Sequence, residues 1–383
     1  MTIIKHKRLR RDGERTIVKM IERFGHGGDL ETAQAAFGVD RSAIIDYSAN
    51  INPLGPPPHV LTRVQQELKD VVHYPDPDHR RLRAMLAEAL QVDASMICIG
   101  NGAAECMALA LLAMAPKRVG VIYPCFSEYA ELSRKFGAEV IGIYGHAEQA
   151  FRAGVDEIIG LMRKVDLLFL GQPNNPTGVQ YNLEELEKLA AIAAESDTML
   201  IVDEAFIDFI APDKQATLLP VVERYSHVIL IRSMTKFYAI PGLRLGYAVA
   251  GPTLIQRLKS KQVTWSVNRL ALAAGEACMV DCESYEEVTR EQTVMEREYM
   301  IERLEREFGC QTWPSLANFI LVRLPKPWTA EWLQTMLGRR GILIRNCAMY
   351  EGLSEADIRL AVKDRERSVI LFEQLADVWQ EGV

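Results

Sequence analysis

The chain has 383 residues, 49% of them hydrophobic and 25% charged, with a formal net charge of −7. Its length exceeds one average domain and fits two, its acidic balance argues against nucleic acid as the main partner, and no apolar run reaches the length of a membrane span. Seven cysteines, an odd count without tight pairs, read as reduced thiols in a cytoplasmic protein.

Lys5, Lys7, Arg8, Arg10 and Arg11 form a basic cluster with no apolar core after it, which is not a secretory signal. Residues 1–19 are expected to be a solvated, dispensable leader, with Met20 an alternative start. Phe24-Gly-His-Gly-Gly-Asp29 is an irregular turn, and Asp29 can cap a helix from Leu30 to Phe37. Its glycine context gives His26 a chance of facing a ligand. A short strand then ends in Asn50 and Asn52, whose amides can bind an anion or simply form the turn.

Gly100-Asn-Gly-Ala-Ala-Glu105 opens an apolar helix, Cys106 to Ala115. It is not a dinucleotide fingerprint, because Glu105 stands where the third glycine belongs. Gly102 and Ala103 instead offer N–H groups to an anion. Strands and helices then alternate through Val119–Tyr123, Val140–Ile143, Val155–Lys164, Leu167–Leu170, Leu183–Glu195, Met199–Val202 and Val228–Ile231. Asn182 and Glu185 read as a capping box for the helix at Leu183. Such alternation predicts an α/β fold with a mostly parallel sheet covered by helices.

Three strand ends carry chemistry. Leu167–Leu170 runs into Gly-Gln-Pro-Asn-Asn-Pro-Thr-Gly178, where Asn175 precedes a proline that keeps it out of helix. Met199–Val202 ends in Asp203 and Glu204, at the edge where parallel sheets bind ligands. Val228–Ile231 leads to Ser233-Met-Thr-Lys236, with Arg244 eight positions beyond the lysine. Two hydroxyls and a guanidinium can hold a phosphate and leave the amine free to form an imine. A loop with a solvated lysine and a structural arginine is the plainer alternative.

After Trp265-Ser-Val-Asn268 a long helical stretch is expected to about Phe308, then strands at Asn318–Arg323, Ile342–Arg345 and Ile358–Val362. Cys278 and Cys282, one helical turn apart, read as buried side chains rather than metal ligands, and no metal site is expected. Arg345 and Arg359 could together bind a doubly anionic substrate. A structural salt bridge is the alternative for either.

Strand–Asn-Pro-Thr-Gly, strand–Asp-Glu-Ala-Phe and strand–Ser-x-x-Lys-(x7)-Arg, in that order, resemble the fold-type I enzymes that use pyridoxal 5′-phosphate (PLP). The resemblance implies that Lys236 carries the cofactor, Asp203 pairs with its ring nitrogen and Asn175 bonds its ring hydroxyl. Ser233, Thr235, Arg244, Gly102 and Ala103 would hold its phosphate. Phe126 would stack on the ring, and Tyr74 would reach a neighbouring subunit's cofactor in a homodimer. His26-Gly-Gly-Asp29, Ser48-Ala-Asn-Ile-Asn-Pro-Leu-Gly55, Asp203–Phe209, Thr235–Tyr247, Trp265–Asn268 and Ile342–Cys347 look more narrowly like the L-threonine-O-3-phosphate decarboxylases of cobalamin biosynthesis. These are relatives of the histidinol-phosphate aminotransferases.

The narrower resemblance implies a phosphorylated amino acid as substrate, touched by His26, Gly27, Asn50, Asn175, Arg345 and Arg359. Aminotransferase relatives carry a tyrosine where Phe206 stands. Phe206 cannot donate to the ring hydroxyl, which favours decarboxylation over a histidinol-phosphate-type aminotransferase. The intact Lys236, Asp203 and Arg244 argue against a non-catalytic binding protein. The expected organisation is a leader at 1–19, a segment at 20–70 joining a small α+β domain at 266–383, and a large PLP-binding domain at 71–265.

Overall fold

A computed structural model describes residues 27–381. The basic leader and His26 lie outside the described residues. The described residues divide into two compact units, one of residues 51–292 and one of residues 27–50 with 293–381. Residues 51–70 and 266–292 belong with the larger unit because helix Pro58–Glu67 packs along helix Arg269–Cys278.

Thirteen strands run in chain order among the described residues: β1 (Ile45–Asp46), β2 (Ile97–Gly100), β3 (Arg118–Tyr123), β4 (Glu139–Tyr144), β5 (Leu167–Gly171), β6 (Met199–Asp203), β7 (Val228–Ser233), β8 (Gly246–Ala250), β9 (Gln311–Thr312), β10 (Phe319–Arg323), β11 (Ile342–Leu343), β12 (Arg345–Asn346) and β13 (Asp357–Ala361).

The larger unit is built on a seven-stranded sheet of order β2-β8-β7-β6-β5-β3-β4. Only β8 runs against its neighbours. Leu200, Ile201 and Val202 of β6 are fully buried, as expected of a strand covered on both faces. Helix Ala103–Met114 packs into the same core through Cys106, Met107 and Ala110. The parallel strands β3, β5, β6 and β7 all end at one edge, so whatever follows them is gathered there.

Helix ends follow local chemistry. Asp29 caps Leu30–Phe37 by accepting from Thr32 N–H at 3.0 Å, and Gly38 closes that helix in the left-handed conformation. The Asn182–Glu185 box is present in both directions, each bond 2.8 Å. The expected helix to Phe308 is two, Arg269–Cys278 and Glu283–Phe308, because a turn at 279–282 interrupts it. Asn268 caps the first, accepting from Ala271 N–H at 2.8 Å.

In the smaller unit β12-β13-β10-β9 form an antiparallel sheet, and β1 pairs with β11 in parallel. The expected strand Ile342–Arg345 is split between β11 and β12, which pair with different partners. Ile320, Val322, Leu360, Leu333 and Phe372 make its core. Among the described residues no helix is long and apolar enough to cross a membrane.

Candidate active site

Each strand end of the larger unit contributes a different functional group. β7 gives way at Ser233, whose hydroxyl caps the one-turn helix Met234–Phe237. That turn places Lys236 Nζ 3.2 Å from Ser233 Oγ, and Ser233 Oγ 2.8 Å from Thr235 Oγ1. The lysine is half-buried, with its ammonium 5.5 Å from the centre of the Phe206 ring. Its backbone carbonyl accepts from Asn52 N–H at 3.1 Å, while Asn52 Nδ2 donates to Phe237 O at 2.9 Å. Asn52 therefore braces the lysine turn, which decides between its two readings in favour of scaffolding.

Asp203 closes β6 and is buried. Its Oδ2 accepts from the Tyr129 hydroxyl at 2.7 Å and its Oδ1 from Ala205 N–H at 3.1 Å. Burial pushes the carboxyl above the ordinary carboxylate range, opposed by the Tyr129 hydrogen bond and the charge of Lys236. After β5, Asn174 ties the turn by donating to Pro124 O at 2.9 Å and Thr177 Oγ1 at 3.0 Å. This leaves the neighbouring Asn175 buried in the same turn. After β3, Phe126 stands edge-on to Tyr129, ring centres 5.7 Å apart.

A cradle lies where β8 meets the start of helix Ala103–Met114. Gly102 stands at φ 82°, and a side-chain carbon there would come within 2.6 Å of Arg244 Nη2. One at Gly246 would come within 2.5 Å of Ala103 N. Only glycine lets backbone N–H groups and the guanidinium converge so closely. The result is an anion seat at a helix N-terminus.

These residues fit PLP. The anion seat suits its phosphate, Lys236 suits its aldehyde, and a ring-nitrogen cation would relieve a carboxyl that burial holds high. Tyr74 is 76% exposed and stacks on Trp265 at 4.4 Å. Among the described residues no cluster of three or more His, Cys, Asp or Glu could hold a metal ion.

The smaller unit holds the two arginines. Arg345 and Arg359 are directly opposed on β12 and β13, so their side chains share one face. Both are buried. Arg359 donates to Ser48 O at 2.6 Å and lies 5.4 Å from the Phe319 ring centre. Arg345 donates to Met349 Sδ at 3.3 Å and lies 5.5 Å from the Tyr350 ring centre. Gly27 belongs to this group: a side-chain carbon on it would come within 2.1 Å of Ser48 O, the carbonyl Arg359 holds. Asn50 is buried nearby in sequence, its carbonyl accepting from Asn318 at 3.0 Å. Its side-chain Oδ1 has no partner among the described residues.

Sequence reading passed over Tyr129 and the Arg232–Glu204 ion pair, which is buried at 2.8 Å. A charge inside the apolar run Val228–Ser233 was the available signal for the pair, since a buried guanidinium requires a partner. Tyr129 had no comparable signal.

The sequence profile of Aminotransferase class I and II matches residues 42–374. The chain belongs to that family. Threonine-phosphate decarboxylase of Salmonella typhimurium is 34% identical over 92% of this chain and 96% of its own length. The crystal structure of L-threonine-O-3-phosphate decarboxylase from Porphyromonas gingivalis superposes with a TM-score of 0.77 at 26% identity, covering 87% of this chain and 99% of that one. The histidinol-phosphate aminotransferase from Clostridium acetobutylicum superposes with a TM-score of 0.81 at 31% identity, covering 88% and 99%. The fold-type I architecture expected from the three strand-end motifs is the one these neighbours share.

Proposed function

We propose that this chain decarboxylates O-phospho-L-threonine to (R)-1-aminopropan-2-yl phosphate and CO2, with PLP as its cofactor. The product is the linker that the resemblance assigns to the cobalamin nucleotide loop. The observation that carries the reading is the facing pair Arg345 and Arg359. Two guanidiniums side by side on one face of one sheet offer two planar forks, each matched to a carboxylate or a phosphate. A substrate with a carboxylate and a phosphate supplies both anions, and the threonine-phosphate decarboxylases aligned with this chain take such a substrate.

When bound, the cofactor supplies an electron sink for the pair left by departing CO2. The chain does the rest. Lys236 anchors the cofactor, Ser233, Thr235, Arg244 and the N–H groups at Gly102 and Ala103 seat its phosphate, and Asn175 and Phe126 orient its ring. Asp203 holds a proton at the ring nitrogen. Arg345, Arg359, Gly27 and Asn50, with His26, would bind the carboxylate and the phosphate of the substrate and fix the orientation of its carboxylate. Lys236, as an ammonium, then returns one proton to Cα, balancing the CO2 released.

A histidinol-phosphate-type aminotransferase is the second reading, favoured by the Clostridium neighbour. Phe206 speaks against it, since no hydroxyl stands at that position beside the lysine. A homodimer in the cytoplasm is part of the proposal, and all seven cysteines are free thiols, which supports a reducing compartment.

Incubation with O-phospho-L-threonine should release CO2 and give the amino-alcohol phosphate by mass spectrometry with no 2-oxo acid present, and Lys236→Ala should reduce this to background. Oxo-product formation that depends on 2-oxoglutarate, without CO2, would establish the aminotransferase instead.

A further inference from the structure

Tyr129 sits in the first turn of helix Ser127–Lys135, and its side chain is held on two sides. Its ring stacks on Phe169 at 4.9 Å and 4° between planes, and Phe126 meets it edge-on. Ring and hydroxyl are both buried, and the hydroxyl donates to Asp203 Oδ2 at 2.7 Å. Phenylalanine would serve the stacking equally well. A hydroxyl in such a place is unfavourable unless it has a partner, and its partner here is the carboxylate proposed to pair with the cofactor.

We infer that Tyr129 is a positioning residue for the reaction: its hydroxyl keeps Asp203 ionised and aimed, so that the proton they share stays on the cofactor's ring nitrogen. The inference rests on the proposed pairing of Asp203 with the cofactor. Carboxylate and ring nitrogen compete for one proton. In a buried site the uncharged arrangement, carboxylic acid beside neutral ring, competes strongly with the ion pair, because separated charge is poorly solvated there. A donor on the carboxylate lowers its proton affinity and tips the balance toward the charged ring.

Ala205 N–H supports the other oxygen, so the two bonds together fix the plane of the carboxylate. The charged or titratable groups acting on this pair are Lys236 toward Asp203 and the Cys125 thiol toward Tyr129. Burial and the Asp203 charge push the phenol far above its ordinary range, so it remains a donor throughout the working pH range.

The test uses holoenzyme loaded with cofactor labelled with 15N in the ring. In the wild type the nitrogen resonance should lie at the protonated position. In Tyr129→Phe it should move toward the neutral position, with kcat lowered roughly tenfold to a hundredfold and KM unchanged within about twofold. In an Asp203→Asn background the same substitution should move neither quantity.

An unmoved resonance in Tyr129→Phe beside a protonated wild type would overturn the inference and leave the proposed function standing. An unprotonated wild-type nitrogen would overturn the Asp203 pairing itself, and the inference with it. If Tyr129→Phe fails to retain cofactor, 3-fluorotyrosine at position 129 strengthens the donor with little change of shape. The pH at which the ring nitrogen's resonance leaves the protonated position should then rise. An unchanged pH would overturn the inference.

Discussion

Arg359 is the residue on which substrate affinity should depend most visibly. Its guanidinium is buried and already bound to a carbonyl, Ser48 O, so it is held in place before any ligand arrives. Truncation would leave a substrate anion without a charge-assisted partner, which costs about 1.5–3 kcal/mol. Arg359→Ala should therefore raise KM for O-phospho-L-threonine roughly tenfold to a hundredfold. Arg359→Lys should recover only part of the loss, because an ammonium cannot reproduce a planar fork. An unchanged KM in Arg359→Ala would make the arginine structural.

At this scale the sequence was legible wherever a residue's neighbours restricted it. Lys236, Asp203 and Asn175 follow apolar strands and precede recognisable turns. Tyr129 was not legible, because a tyrosine in an amphipathic helix looks the same whether its hydroxyl meets water or a carboxylate. The sequence leaves two outcomes open for Asn52, and its bonds to Lys236 O and Phe237 O separate them.

Strand β7 and the turn after β6 carry a second buried polar group. The side chains of Arg232 and Ser233 point to opposite faces, as neighbours on a strand must. Arg232 pairs with Glu204, and Asp208, in the short helical turn Ile207–Phe209, feels that guanidinium from a half-buried position. Burial raises the Asp208 carboxyl to about 6, against the pull of Arg232. With its folded value above the unfolded one, the contribution of Asp208 is fully present below about pH 4 and is lost as the pH rises through 6. The stake is on the order of 2–3 kcal/mol. Asp208→Asn cannot ionise, so its melting temperature relative to wild type should climb between pH 4 and pH 8. Thermal melts showing a constant difference across that range would contradict the assignment.

Elements were legible in proportion to their apolar runs. β5, β6 and β7 were found because they are buried on both faces. β2 and β8 were missed because Ile-Cys-Ile-Gly and Gly-Tyr-Ala-Val-Ala are short and rich in small residues. β2 becomes a strand by pairing with β8, which also pairs with β7, across a separation that no local pattern reports.

For the whole molecule, the exposed apolar surface of the larger unit calls for a cover. Val72 and Val263 are 78% and 75% exposed, beside the stacked Tyr74 and Trp265. Trp265 also stands at φ 62°, a conformation uncommon for an aromatic residue. A second copy is the proposed cover. Light scattering should give twice the 43.1 kDa chain mass. Trp265→Asp suits that backbone better and removes apolar surface, so combined with Val72→Asp it should yield folded monomers with little activity. A fully active monomer in the wild type would rule out the shared site.

The strand order β2-β8-β7-β6-β5-β3-β4 also sets a timetable for synthesis. β2 leaves the ribosome before any other strand of its sheet, yet its partner β8 begins only at Gly246 and is the last strand of that sheet to be made. At about 5–20 residues per second the wait is on the order of ten to thirty seconds. Throughout it an apolar strand has no neighbour and invites wrong pairings. The arrival of β8 ends the wait and in the same movement brings Gly246 against Ala103 and Arg244 against Gly102, so the proposed seat for a cofactor phosphate forms with the last pairing of the sheet. A nascent chain stalled before Gly246 would display a nearly complete sheet without the proposed phosphate seat, and its β2 would still lack a partner.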